Sequence, residues 1–214
     1  MSLFRRKQND ASYDPTIYTA EQPIPTKSGA RSIISTVLLF ALAPVLAILI
    51  NMFIFQSYEV RGSSMNPTLS NNDRLIILKL PRTWARLTKH NLIPPRGTII
   101  VFKKPGAEYE QLIKRVIGLP GERVVVKNGT VRVYNKEHPE GFDPDDTDWG
   151  KHLYAVTEGN LDVQVNEGEV FVLGDNRLPG ASLDSRSYLG NILSNEIVGE
   201  LSIRILPVTQ VKTF

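Results

Sequence analysis

Cysteine is absent from the 214-residue chain, and histidine is scarce. The missing cysteine excludes disulfide bonds, a thiol nucleophile and thiolate metal sites. The three histidines stand in polar segments, away from any sharp motif, so a Ser-His-Asp triad has weak support; they are His90, His138 and His152. The net charge of only +3 is too small and too scattered to indicate a nucleic-acid-binding protein.

Metal-ligand spacing is also missing from the most acidic stretch, residues 135–160, which contains HPEGFDPDDTDWG. An EF-hand needs Gly at its sixth position and Glu at its twelfth. Counting from Asp143 the sixth residue is Asp148, and counting from Asp146 it is Lys151, so the pattern fails. We interpret the stretch as a solvated acidic loop and predict neither a metal nor a cofactor.

Charge is missing from Ser32–Phe55, which reads SIISTVLLFALAPVLAILINMFIF. A helix needs about 20 apolar residues to cross a membrane, and membrane helices tolerate a proline such as Pro44. A buried core helix of this length usually keeps a polar face. Ala41-Leu42-Ala43 offers a cleavage site for a removable leader, but the apolar run continues well beyond it. We therefore predict a retained transmembrane anchor at 32–55.

Basic residues before this run set the predicted orientation; they are Arg5, Arg6, Lys7, Lys27 and Arg31. Positive charge favours the cytoplasmic side of a membrane. We therefore predict a flexible cytoplasmic tail at 1–31 that contacts anionic lipid head groups. The remainder, residues 56–214, is predicted to be extracytoplasmic.

Short β-type runs separated by turn residues fill the chain after Ser57. The candidate strands are Tyr58–Val60, Arg74–Leu80, Thr98–Phe102, Leu112–Ile117, Arg123–Lys127, Thr130–Tyr134, Asp162–Val165, Val170–Leu173 and Leu201–Leu206. Asn128-Gly129, between VVVK and TVRV, predicts a two-residue hairpin turn. Many strands with almost no helical periodicity indicate a mainly β domain, an antiparallel sandwich or a partly closed barrel, behind one N-terminal helix.

Three serines occur in RGSSMNPTLS at 61–70, just beyond the predicted anchor. Such residues often form an ordinary turn, but a serine can be a nucleophile when a base lies beside it. A lysine can be that base if burial lowers its pKa. In LIKRVIG at 112–118, strand alternation puts Lys114 or Arg115 among apolar neighbours. On alternation alone, a half-exposed Lys114 whose stem covers apolar surface is at least as good an interpretation.

Four blocks follow the anchor in a fixed order: RGSSMNPTL, RGTIIVF at 96–102, QLIKRVIGLPGE at 111–122 and GDNR…SLDSRSYLG at 174–190. Together they closely resemble the type I signal peptidases of bacteria, which are membrane-bound serine proteases. The resemblance covers about residues 57–206. It implies that Ser64 is the nucleophile and Lys114 the general base, acting through an acyl-enzyme that a Lys114-activated water hydrolyses.

The resemblance also implies supporting residues. The oxyanion donors are the Ser64 N–H and, in many family members, a hydroxyl two residues earlier, where this sequence has Gly62; Ser63 and Thr68 are candidates to replace that donor. Ser182 matches the serine that orients the lysine amine, although Leu178–Ala181 makes the spacing longer than is usual in the family. The residues expected to fix the site through ion pairs are Asp175, Arg177, Asp184 and Arg186.

Preprotein signal peptides are the substrates that the resemblance implies, cut after small residues at the −1 and −3 positions. We expect the substrate to add as a strand between residues 58–62 and 110–114. The alternative is a catalytically inactive relative that binds preproteins or a translocation partner, which retention of both dyad residues disfavours. The membrane span likewise disfavours a self-cleaving Ser/Lys repressor. The expected location is the bacterial plasma membrane or, as the alternative, a thylakoid membrane; the sequence predicts no oligomeric state.

Overall fold

One long helix contains the apolar run. The computed structural model describes residues 29–81, 83–84, 93–107, 109–153 and 156–214, so the candidate residue His90 lies outside it. Helix α1 (Gly29–Phe53) is exposed along Ile33–Phe53, a segment long and apolar enough to cross a membrane. The predicted span runs to Phe55, whereas the helix ends at Phe53 and Phe55 begins the first strand. By compactness, the described chain divides after Pro44.

The second compact unit, Val45–Phe214, contains every strand. The strands are β1 (Phe55–Glu59), β2 (Arg74–Leu78), β3 (Ile99–Lys103), β4 (Gln111–Gly118), β5 (Arg123–Lys127), β6 (Thr130–Tyr134), β7 (Leu161–Gln164), β8 (Glu169–Leu173), β9 (Ile192–Leu193), β10 (Ile197–Leu206) and β11 (Lys212–Thr213). Short 3₁₀ helices occupy Gly150–His152, Ser194–Glu196 and Val208–Gln210.

The strands form two antiparallel sheets. The larger sheet has the order β1-β2-β10-β3-β4-β8-β9, with β11 paired to β10, and the smaller one has the order β6-β5-β7. The prediction of a mainly β, antiparallel domain is confirmed. Neither sheet closes on itself within the described residues. Asn128 and Gly129 both have positive φ, as the hairpin turn between β5 and β6 requires.

Three apolar clusters hold the sheets together. The first joins β1, β2, β3 and β10 to the segment between β1 and β2 through Met65 and Leu69. The second lies mainly among β3, β4, β8 and the start of β10. The third packs the small sheet against β4 and β8, with Ile117 and Phe171 of the large sheet meeting the valines of β5 and β6. Burial of these apolar faces is the main stabilising term for the domain.

Strand β4 has a half-free edge. Its first residues pair only with β3, from Gln111↔Lys103 to Arg115↔Ile99. Its pairing with β8 begins at Arg115↔Leu173. Among the described residues, β1 likewise pairs with only one strand, β2. Unpaired edges of this kind can accept an added strand.

Candidate active site

A compact turn presents Ser64. The turn follows β1, and its backbone is closed by hydrogen bonds from the Asn66 N–H to the Ser63 carbonyl (3.1 Å) and from the Leu69 N–H to the Met65 carbonyl (2.9 Å). The side chains of Met65 and Leu69 are buried in the first apolar cluster. Because both ends of the turn are tied to the core, the half-buried Ser64 side chain is held in one place.

Strand β4 presents Lys114 to that serine. The Lys114 side chain is only 2% exposed, so the half-exposed interpretation of this lysine is wrong. Its Nζ lies 2.8 Å from Ser64 Oγ and 2.7 Å from the Ile113 carbonyl oxygen, and it donates a hydrogen bond to each. These are direct hydrogen-bond distances. Two residues 50 positions apart in the chain therefore form one buried pair.

Burial changes the ionisation of this lysine. Loss of hydration lowers the Lys114 pKa from 10.5 to about 8, while the negative charges of Asp184 and Asp175 act in the opposite direction. A neutral amine can accept a proton, whereas an ammonium group cannot. With a pKa of about 8, about a tenth of the molecules hold the neutral amine at pH 7, and the fraction rises with pH.

Arg115, the next residue of β4, is buried as well. Its Nε donates to Asp175 Oδ1 at 2.8 Å, and its Nη2 forms a close ion pair with Asp175 Oδ2. Nη1 donates to the Gly97 carbonyl at 2.7 Å. The guanidinium carbon lies 4.5 Å from the centre of the Trp149 ring. Sequence alternation put one of the two β4 cations among apolar neighbours, and the structure buries both.

The turn after β8 holds the backbone of the Ser64 turn. The Asn176 N–H donates to the Ser64 carbonyl at 3.0 Å, and Asn176 Nδ2 donates to the Ser63 carbonyl at 3.1 Å. Gly174 lies so close that an added Cβ would come within 2.5 Å of the Ser64 carbonyl oxygen and 2.2 Å of Ser182 Oγ. A side chain at residue 174 would therefore displace the Ser64 turn.

A second group of ions surrounds this turn. Asp184 accepts hydrogen bonds from the Gly174 N–H (3.0 Å) and from Arg186, whose Nη2 lies 2.8 Å from Asp184 Oδ2. Burial raises the Asp184 pKa, but the interactions with Arg186, Gly174 and Ser182 outweigh it, so the pKa lies below its ordinary value. Arg177 is fully buried and pairs with Asp145 of the acidic stretch at 2.6 and 2.8 Å.

Comparison with known proteins identifies the family. The model of the family described as signal peptidase, peptidase S26, matches residues 33–206. The chain belongs to the signal peptidase family. Signal peptidase I of Bacillus amyloliquefaciens is 34% identical over 190 residues, which cover 88% of this chain and 92% of that protein. Signal peptidase I T of Bacillus subtilis is 34% identical over 172 residues, covering 80% and 84%.

A solved structure also matches this signal peptidase family member. It is a crystal structure of a signal peptidase I from Enterococcus faecalis, 28% identical, which covers 52% of this chain and 98% of its own, with a TM-score of 0.40. The expectation of a serine peptidase is confirmed by the family match. Helix α1 fits the expected N-terminal membrane anchor.

The structure brings most of the sequence-predicted residues of this signal peptidase together. Ser64 and Lys114 are in contact, and the four expected ion-pair residues are all paired. Ser182 lies against Gly174, but within the described residues the hydrogen bonds of the Lys114 amine go to Ser64 and Ile113, not to Ser182. Gly62 has a φ of +94°, and its N–H donates to Asn71 Oδ1 at 2.8 Å.

Other predicted residues lie elsewhere. Thr68 Oγ1 faces Arg115, with 3.5 Å between Oγ1 and Nη2. His138 packs edge-on against Phe142, and His152 is exposed on a 3₁₀ helix. Sequence reasoning missed Asn176, Trp149 and the pairing of Asp145 with Arg177. The one usable signal for that pairing was the surplus of carboxylates in residues 135–160, because a buried arginine requires an anionic partner.

Proposed function

We propose that this protein is a membrane-anchored serine endopeptidase that removes signal peptides from exported preproteins through Ser64 and Lys114. The observation that carries the proposal is the 2.8 Å contact between Ser64 Oγ and a lysine amine that is almost fully buried. Burial supplies what a lysine base needs, a lowered pKa. The matching signal peptidases of Bacillus support the choice of substrate.

The proposed reaction needs only side chains and water. The neutral Lys114 amine accepts the Ser64 hydroxyl proton while Oγ attacks the carbonyl carbon of the scissile peptide bond. The resulting ammonium gives that proton to the departing nitrogen, the C–N bond breaks, and the signal peptide stays on Ser64 as an ester. The amine then takes a proton from water, whose oxygen attacks the ester carbonyl. The bond from that carbon to Ser64 Oγ breaks, the ammonium returns the proton to Oγ, and the signal peptide leaves with a new carboxyl terminus.

The negative oxygen of the tetrahedral intermediate needs donors. We propose the Ser64 N–H as one, because it lies on the turn that carries the attacking Oγ. Gly62 offers no side-chain donor, and its positive φ is one that residues with a Cβ rarely adopt. An Asn71 side chain accepts from the Gly62 N–H and holds that part of the turn. Within the proposal, the role of Gly62 is to give the backbone before Ser64 its turn conformation.

Two edges can receive the substrate. The first half of β4 lacks a second partner among the described residues and ends at Lys114, and β1 leads into the Ser64 turn. Tyr58 and Ile113 from these strands pack partly buried beside Met65. An extended peptide added here would reach Ser64 at its C-terminal end. Apolar walls this close favour the small residues expected at −1 and −3.

The remaining expected roles belong to the same proposal. Asp175, Arg177, Asp184 and Arg186 fix the turn behind Ser64, and Ser182 lines it. Residues 1–31 form a cytoplasmic tail on anionic lipid, α1 crosses the membrane, and 56–214 form the extracytoplasmic domain. The positive charge before the span supports this orientation. We propose the bacterial plasma membrane as the location, with a thylakoid membrane as the alternative.

Cleavage of a preprotein by the detergent-solubilised full chain tests the proposal. Ser64→Ala removes the nucleophile, and Lys114→Met removes the base while filling its buried space. We expect each change to lower kcat/KM at least about a thousandfold. The matched controls Ser70→Ala and Lys127→Ala change an exposed serine and an exposed lysine and keep full activity. Persistent cleavage by either dyad variant would refute the dyad, and no cleavage by the unmutated protein would favour a binding protein.

A further inference from the structure

We infer that Asp145, in the acidic stretch 135–160, is a positioning residue for the peptidase reaction. It acts through Arg177 and Asn176 on the backbone of Ser63 and Ser64. This inference rests on the proposed function, since it concerns the geometry of the Ser64 nucleophile. It also gives residues 135–160, which the sequence assigned to solvent, a part in the site.

The first link is the pair of Asp145 and Arg177. Both carboxylate oxygens are used, with Arg177 Nη1 to Oδ2 at 2.6 Å and Nη2 to Oδ1 at 2.8 Å. Nη1 also donates to Thr157 Oγ1 at 3.0 Å, and Nε donates to the Gly174 carbonyl at 2.8 Å. The Arg177 side chain is fully buried and the Asp145 side chain is 20% exposed. A two-point pair of this kind fixes orientation as well as distance.

The second link runs from Arg177 to the nucleophile. Arg177 follows Asn176 directly, and its bond to the Gly174 carbonyl closes the turn that contains Asn176. The two donors of Asn176 reach the carbonyls of Ser63 and Ser64 at 3.1 and 3.0 Å. A shift of the 174–177 turn is therefore transmitted to the backbone that carries Ser64 Oγ. Misplacing a reacting atom by about 1 Å can cost about a hundredfold in rate.

Charge makes Asp145 hard to replace. A guanidinium stays protonated in proteins, so a buried Arg177 without its carboxylate is an unpaired buried charge and the turn must move to hydrate it. Other acids of the stretch are engaged locally: Asp148 pairs with Lys151, and Asp143 Oδ1 accepts from the Asp145 N–H. Asp145, by contrast, pairs with an arginine of the 174–177 turn.

A second contact from the same stretch reaches the same turn. Trp149 covers the guanidinium of Arg115, with its ring centre 4.5 Å away. Arg115 in turn holds Asp175, the residue before Asn176, at both carboxylate oxygens. The ring also lies against Gly97, where an added Cβ would be 2.7 Å from the indole nitrogen. Residues 145 and 149 therefore support the 174–177 turn from two sides.

The test is Asp145→Asn in the full-length protein, with preprotein cleavage as the readout. Asn has the same shape, but its amide group points donors at the donors of Arg177, so the two-point pair is lost. We expect kcat to fall about ten- to a hundredfold, with KM nearly unchanged, because substrate contacts lie on β1 and β4. The matched control is Asp162→Asn, which breaks a two-point pair with Arg123 that is half exposed. We expect the control to keep full activity.

A double-mutant cycle separates positioning from general stability. If Asp145 acts through Asn176, the fall in kcat of Asp145→Asn with Asn176→Ala matches that of the more severe single variant. Additive losses would overturn the inference. The pH at half-maximal rate should stay close to that of the unmutated protein, because burial on β4, the main cause of the lowered Lys114 pKa, does not change. A clearly shifted midpoint would overturn the positioning role.

Two further outcomes are decisive. If Asp145→Asn does not fold, Asp145→Glu, which keeps the charge but moves it by one methylene, should fold and still show a lowered kcat with unchanged KM; full activity of Asp145→Glu would overturn the inference. If the unmutated protein and Asp145→Asn cleave the preprotein equally fast, this inference is overturned but the proposed function is not. Cleavage that survives Ser64→Ala overturns the proposed function instead.

Discussion

At the scale of single residues, the protonation state of the Lys114 amine decides whether it can accept the Ser64 hydroxyl proton in the proposed reaction. Lys114 is a cation by default, and water is its best partner. On strand β4 the amine is buried away from water, and it hydrogen-bonds instead to the Ser64 hydroxyl and the Ile113 carbonyl oxygen. The nearby carboxylates Asp175 and Asp184 are neutralised by their own arginines, which limits how far they raise the Lys114 pKa. The residue is thereby kept close to the protonation state that a base requires.

This balance predicts the pH dependence of cleavage. With a Lys114 pKa of about 8, the neutral amine predominates above pH 8. Below that pH the amine becomes protonated and the active form is lost. We expect kcat/KM to level off above pH 8 and to drop about tenfold for each pH unit below it. The measurement is a pH profile with a preprotein that has no titratable residue near its cleavage site. A profile that stays flat down to acidic pH would contradict a lysine base.

At the scale of elements, the unpaired edges of β1 and β4 are where we propose that the substrate peptide binds. Strand β3 pairs with Gln111–Arg115 along one edge of β4, and β8 pairs along the opposite edge from Arg115 onward. The edge that faces β8 is therefore unpaired among the described residues before Arg115, next to Lys114. An added strand would therefore stop where the base begins, which aligns its last peptide bond with the dyad.

Backbone methylation of the substrate tests this mode of binding. N-methyl groups on two consecutive residues just before the cleavage site remove at least one donor that faces β4. Since a hydrogen bond contributes about 0.5–1.5 kcal/mol, we expect KM to rise about two- to tenfold. The same two methyl groups placed well after the cleavage site are the control and should leave KM unchanged. Equal effects at both places would argue against strand addition.

Many of the strands and their bounds can be predicted from the sequence. The strands β5 and β6 have the predicted bounds because their valines alternate and Asn128-Gly129 permits only a tight turn. Strand β10 begins at Ile197, earlier than predicted, since its pairing with β3 adds residues that carry no alternating pattern. The strands β9 and β11 were missed because two residues are too few to show periodicity.

The candidate site likewise has residues that the sequence could identify and residues that it could not. Ser64 and Lys114 could be found because their blocks resemble a known family. The partners of Arg115 and Arg177 could not, because 60 residues separate Arg115 from Asp175 and 32 separate Arg177 from Asp145. Nothing local distinguishes a carboxylate that will be buried against a distant arginine from one that faces water. Contacts of that range are decided by tertiary packing.

At the scale of the whole molecule, a charged tail, an apolar helix and a β domain follow one another along the chain. Four of the five basic residues before the span lie between positions 5 and 27, and few charges follow the span directly. This asymmetry is the basis of the proposed orientation. It also determines which compartment supplies the substrate, since the dyad belongs to the domain after the span.

Cysteine labelling tests the orientation with little background, because the chain has no cysteine of its own. We expect Lys136→Cys, at an exposed position, to react with a membrane-impermeant maleimide added to intact cells. Ser12→Cys should react only after the membrane is opened. Both variants should keep peptidase activity, which serves as the control for folding. The reverse labelling pattern would contradict an extracytoplasmic domain.

The connection between α1 and β1 is a single residue, and hydrogen bonds fix it in place. Phe53 ends the helix and Phe55 begins the strand, and the Lys79 N–H donates to the Ile54 carbonyl between them at 2.7 Å. Lys79 Nζ and Thr83 Oγ1 donate to the carbonyls of Asn51 and Phe53 at 3.3 and 3.0 Å. Lys79 and Thr83 therefore hold residues 51–54, at the end of α1, and fix where the chain enters the β domain.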